Sequence, residues 1–173
     1  MPSLNFSTTF GGNSKMPTYF IEQMANADLQ WQEKATTYLK DLLLVAPEIE
    51  GKKIHTIRSG NRWKSGSKCH IFTGLRTKNT KKYGVISCVS TQKITINFWN
   101  SCSPPTQNKD VAPQLIQTRV LVDGRKLSKY EIEVLAHNDG LDIGDFKQWF
   151  WKATNKGSET FEGQIIHWTS LTY

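Results

Sequence analysis

The clearest alternation of apolar and polar positions lies in the middle of the chain. Ile54, Thr56 and Arg58 alternate with His55 and Ile57, and β-branched residues dominate, so Lys53 to Arg58 reads as a strand with two unlike faces. Small and turn-forming residues (Ser59, Gly60, Asn61, then Ser65, Gly66, Ser67) bracket Arg62-Trp63-Lys64, and a second alternating run follows from Cys69 to Gly74. This predicts a strand, a cationic turn and a strand. Upstream, Leu4 to Thr9 alternates weakly, as an edge strand does, before Gly11, Gly12 and Pro17 interrupt regular structure. From Thr18 to Ala46 the period becomes helical, with Leu29, Trp31, Ala35, Tyr38, Leu39, Leu42 and Leu43 at three and four spacing, and Pro47 ends the run. Two helices are expected there, broken near Asn26 to Asp28, with Asp28 capping the second.

Downstream, Thr77 to Lys82 reads as a cationic loop, and Val85 to Val89 with Lys93 to Trp99 as a strand pair or one bent strand. Three prolines mark Asn100 to Pro113 as a loop. Leu115 to Val122 runs into Asp123-Gly124, a strong hairpin signal. Ser128-x-x-Glu131 is a capping box that opens a helix with Ile132, Leu135 and Ala136 inward, and Gly140 supplies its left-handed end. A further helix covers roughly Ile143 to Ala153, and Phe161 to Thr169 forms a last strand. Strands outnumber helices without a repeating strand-helix-strand order, so the fold class is α+β, mainly β, with an open or closed barrel and peripheral helices fitting best. At 173 residues the chain is one domain, 1–173, whose first 50 residues are a mainly helical elaboration.

Charge changes this picture. The net charge is +7, yet no Asp or Glu lies between Glu50 and Asp110, where twelve Lys and Arg fall. The remaining ten bases face fifteen acids. A strongly basic interval interleaved with Trp63, Phe72 and Trp99 suits a phosphate-bearing ligand or polyanion, because cations release counterions from phosphates and bases stack on aromatic rings. A basic face kept for solubility is the plainer alternative. Hydrophobic content of 38% and charged content of 21% exclude a disordered chain, and the longest apolar run, Leu42 to Ala46, is far too short to span a bilayer. Without a signal-like start, a cytoplasmic location and no membrane partner are expected. Cys69, Cys88 and Cys102 have no metal-ligand spacing, and neither do His70 and His167, so the cysteines read as reduced and structural, with no metal or cofactor expected.

Gly51, Lys53, Thr56 and Arg58 resemble the Gly-x-Lys-x-x-Thr-x-Arg signature of the ASCH (activating signal cointegrator homology) family, and Trp63-Lys64-x-Gly66 is similar to the hairpin after it. Ala136-x-x-Asp139-Gly140-Leu141 resembles that family's Ala-x-x-Glu-Gly-Phe, and Ile166-His167-Trp168 its closing strand, so the likeness runs in order from about Leu4 to Thr169. It implies a PUA-like β-barrel and two activities. One is binding of RNA or a modified nucleotide; by their own chemistry Arg58, Arg62 and Lys64 suit phosphate contacts and Trp63 suits stacking on a base, with Arg76 counted among the binding residues. The other is amide hydrolysis of acylated pyrimidine nucleosides such as acetylcytidine, with Thr56 as nucleophile or water-orienting group, Lys53 as base and Asp139 as acid; ribonuclease activity also occurs in the family. Asp139 stands where the family has Glu, a carboxylate shorter by one methylene, or about 1 Å.

From the residues alone, Lys53 and Thr56 point to opposite faces of a flat strand, so a bend is needed to unite them. Asp139 sits against the dipole at a helix C-terminus, where a carboxylate needs a cationic partner or serves only as turn chemistry. Trp63 fits a core position at least as well as a stacking one. A third reading gives the N-terminal helices and the aromatic helix near Phe146, Trp149, Phe150 and Trp151 to a protein partner.

Overall fold

The computed structural model describes residues 3–10, 16–27, 50–100, 116–154 and 159–173. Among the described residues eight strands form two sheets. The smaller holds β1 (Ser3–Phe6), β3 (Lys68–Thr73) and β4 (Lys81–Ser87) in the order β1-β3-β4, and the larger holds β2 (His55–Ser59), β8 (Thr160–His167), β5 (Ser90–Asn100), β6 (Ile116–Val122) and β7 (Arg125–Lys126) in the order β2-β8-β5-β6-β7. Three helices accompany them among the described residues: α1 (Phe20–Ala25), α2 (Lys129–Asn138) and α3 (Ile143–Ala153).

The barrel implied by the sequence is corrected here: the protein is mostly β, but neither sheet closes among the described residues. The physical reason lies at Cys88–Val89. Val85 to Val89 and Lys93 to Trp99 do not pair; β4 stays with β3, the chain breaks strand geometry for two residues, and Val89 donates its N–H to the His167 carbonyl (2.8 Å), which starts β5 alongside β8 in the other sheet. β5 then pairs with β6 and β8, leaving β2 and β7 as separate edges.

Local signals fare better. β1 is an edge strand, parallel to β3 with Leu4 opposite Ile71. Asp123 and Gly124 both adopt positive φ, and their turn sets Val122 opposite Arg125. The Ser128 and Glu131 capping box forms in both directions and buries Ile132, Leu135 and Ala136. Helix α1 ends at Asn26, the expected break; the expected second N-terminal helix, with Asp28, lies outside the described residues, as do the Asn100 to Pro113 loop beyond Asn100 and Cys102.

The core joins the layers through aromatic contacts. Trp151 meets Phe98 of β5 at 5.7 Å and Phe150 meets Phe161 of β8 at 4.9 Å, so α3 turns its rings inward onto the large sheet. Trp149 packs edge-on to Phe10 and Phe20, tying α3 to the N-terminal segment. β2 and β8 approach so closely at Gly163 that a Cβ there would strike the Arg58 carbonyl oxygen. No helix among the described residues is long and apolar enough to cross a membrane.

Candidate functional site

The site grows from the entry to β2. The Lys53 N–H donates to the Gln23 carbonyl of α1 and the Ile54 N–H to the Asn138 carbonyl at the end of α2, each at 3.0 Å. These two bonds carry the segment across the end of α2, where Asp139 is the C-cap. Gly140 follows with a φ of 79°, and any side chain there would collide with Gln23. Lys53 and Asp139, 86 residues apart, therefore meet: Nζ lies 2.5 Å from Oδ1 and also donates to the Asp139 main-chain carbonyl.

The pair is closed off from solvent. Lys53 is 1% exposed and Asp139 4%. Nζ stands 4.5 Å from the ring centre of Phe20 and 5.8 Å from that of Phe6. Burial pushes the Lys53 ammonium down to about 8, a fall the adjacent Asp139 carboxylate limits. Burial also raises the Asp139 carboxyl, opposed by Lys53, by Arg58 and by the Ile57 amide. The helix dipole disfavours this carboxylate, and Lys53 is the cation that compensates it.

Lys53 precedes the regular part of β2 and so escapes the alternation that would send it away from Thr56. Its Nζ and the Arg58 guanidinium both lie over the one Phe6 ring, Arg58 at 4.9 Å. Thr56, two residues before Arg58 in β2, shares the Arg58 face. Thr56 is buried, and no hydrogen bond joins its hydroxyl to Lys53 or Asp139 among the described residues.

Outside this pair lies a groove of about 490 Å³ lined by Ser3, Leu4, Asn5, Arg58, Arg62, Leu75 and Arg76. No acidic residue lines it among the described residues. Asn5 organises it with one residue: its carbonyl accepts from an Arg58 terminal nitrogen (3.0 Å) and its side-chain oxygen accepts from the Leu75 N–H (3.0 Å), which pins the loop carrying Arg76 against β1. Arg76 itself holds a φ of 70°, uncommon for a residue with a Cβ. Asn5 carried no signal in the sequence, since one Asn in a weak edge strand resembles any other solvent-facing position.

The remaining expected residues divide. Arg62 is exposed and lies 5.1 Å over the Trp63 ring. Trp63 is 2% exposed and part of the core, where a base cannot stack on it; Gln164 clamps its backbone with bonds of 3.0 and 3.2 Å. Lys64 is exposed and stands apart from the groove lining. The arrangement thus brings Arg58, Arg62 and Arg76 together, brings Lys53 to Asp139, and separates Trp63 and Lys64 from both.

On the opposite face of β2 the register sets His55 beside His167 and His167 beside Ser90. Both imidazoles are wholly buried, with ring centres 5.6 Å apart, and the Tyr173 hydroxyl lies 3.3 Å from His55 Nδ1. Burial holds both below the ordinary histidine range, His167 at about 4. No group of three or more His, Cys, Asp or Glu capable of holding a metal ion occurs among the described residues. No protein-family model, curated protein or solved structure matches this chain.

Proposed function

We propose that this protein binds a phosphate-bearing ligand, RNA or a modified nucleotide, in the arginine groove. One observation carries the reading: Arg58 from β2, Arg62 from the turn after it and Arg76 from the loop after β3 converge on one groove that no carboxylate lines among the described residues. Arginine's planar fork suits phosphate oxygens, and without an acid among the described lining residues the guanidinium groups are not paired off within the groove, although Arg58 gives one terminal nitrogen to the Asn5 carbonyl. The acid-free interval of the sequence and the ASCH resemblance point the same way. A cytoplasmic setting is part of this reading, in keeping with Cys69 and Cys88, which are free and buried. Binding of a single-stranded oligouridylate, followed by fluorescence anisotropy against salt, tests it. Affinity should fall as salt rises and drop in Arg58→Ala, Arg62→Ala and Arg76→Ala. Affinity indifferent to both would end the reading.

A second reading, hydrolysis of an acylated pyrimidine nucleoside, is favoured by the Lys53 and Asp139 contact and the lowered Lys53 ammonium. A lysine poised near 8 holds a useful fraction of neutral amine at neutral pH, the form that acts as a base. Release of acetate from acetylcytidine by wild type but not by Lys53→Ala would support it; equal release, or none from either, would not.

A further inference from the structure

The ring of Phe6 occupies an unusual place. It is 2% exposed within the core, and its neighbours include Lys53 and Arg58 through their charges, and Phe20 at 6.4 Å and Trp168 at 6.2 Å, both edge-to-face. Two of these neighbours carry buried donors without partners among the described residues, Nε of Arg58 and Nε1 of Trp168. Buried donors are nearly always satisfied, by protein or by ordered water, so each orphan calls for an acceptor that a bound molecule or a water can supply. A phenyl ring fills the space but offers no lone pair.

We propose that Phe6 is a displaceable plug, filling a ring-sized slot that admits the base of a nucleotide whose phosphate lies in the arginine groove. Arg58 joins the two compartments: one terminal nitrogen bonds the Asn5 carbonyl at the groove while the guanidinium covers Phe6. The slot suits a single six-membered heteroaromatic ring, equal in size to the phenyl it replaces and bearing carbonyl or ring-nitrogen acceptors for the two orphan donors. Displacement is local. Phe6 is the last residue of a four-residue edge strand paired on one side only, and strand ends of this kind open more readily than the core. The protein is therefore self-occluded, with Phe6 standing where the base goes. This inference rests on the groove reading above.

The test compares uridine 5′-monophosphate with ribose 5-phosphate, which has the phosphate but no base, on wild type and Phe6→Ala by calorimetry. Removing the plug should tighten uridine 5′-monophosphate at least tenfold and leave ribose 5-phosphate unchanged. A folded Phe6→Ala, shown by near-ultraviolet circular dichroism, that gains nothing for the nucleotide overturns the plug while wild-type binding of both probes keeps the groove. Failure of both probes and of oligouridylate to bind wild type removes the groove, and the plug with it. Should Phe6→Ala not fold, wild type decides: amide exchange at Phe6 and Ser7 should quicken when uridine 5′-monophosphate saturates the protein, and unchanged or slowed exchange overturns displacement.

Discussion

Lys53 and Asp139 form a buried ion pair at 2.5 Å that fastens the start of β2 to the C-terminal end of α2. Each partner alone would be an uncompensated charge among Phe6, Phe20 and the end of a helix whose dipole repels the carboxylate. Together they hold the strand that presents Arg58 to the groove.

Breaking one side of that pair should therefore cost more than removing both. Lys53→Met and Asp139→Leu are each expected to destabilise the fold by about 3–5 kcal/mol, and the double variant by clearly less, because it leaves no orphan charge. Urea unfolding of the three variants checks this. Additive losses in the double variant would mean that the two side chains act independently.

Acid should unfold the protein through its buried imidazoles. His55 and His167 are held neutral in the fold by burial, with the Lys53 charge adding to the effect at His55 and Asp123 weakly opposing it at His167. Their folded values lie below the unfolded value of about 6.5, so the unfolded chain binds protons first as pH falls. Stability is full above that value and declines as pH falls, between about 6.5 and about 4 for His167. Thermal melts from pH 8 to pH 5 should show the fall, and His167→Gln should flatten it; an unaltered slope in the variant would assign the acid sensitivity elsewhere.

Gly163 is a packing requirement of the β2 and β8 pair. A Cβ there meets the Arg58 carbonyl, main chain that cannot swing away. Gly163→Ala should cost about 1–3 kcal/mol and weaken groove binding by displacing Arg58, measured by denaturation and by anisotropy on the same preparation. Wild-type stability in Gly163→Ala would show that the two strands part easily.

What the sequence revealed was what depends on near neighbours. The Ser128 and Glu131 box and the Asp123-Gly124 turn rest on a few adjacent residues and appear at their expected places, while the alternating strands form with shifted bounds, β2 starting at His55 rather than Lys53 and β3 running from Lys68 to Thr73. The open sheets were not legible, because whether β4 continues beside β5 or leaves it depends on Val89 meeting His167, a contact between residues far apart in the chain. For Trp63 the sequence left core and stacking positions both open, and its burial, with its backbone bonded to Gln164 a hundred and one positions away, decides for the core. Lys53 and Asp139 were singled out by a family-like motif, and their meeting is accompanied by main-chain bonds from Lys53 and Ile54 to Gln23 and Asn138, residues far away in the chain. Asn5 and Phe6 stood in a stretch whose weak alternation marked an edge strand but gave no sign of their place at the groove and beside it.

The most direct test of the account is the salt dependence of oligouridylate binding in wild type and in the Arg58→Ala, Arg62→Ala, Arg76→Ala triple variant. If the three guanidinium groups hold phosphates, log affinity falls linearly with log salt in wild type, and the triple variant loses about 2 from that slope, since each phosphate contact on a single strand contributes about 0.7. A slope unchanged in the triple variant would contradict the account, because the groove would then hold no phosphate.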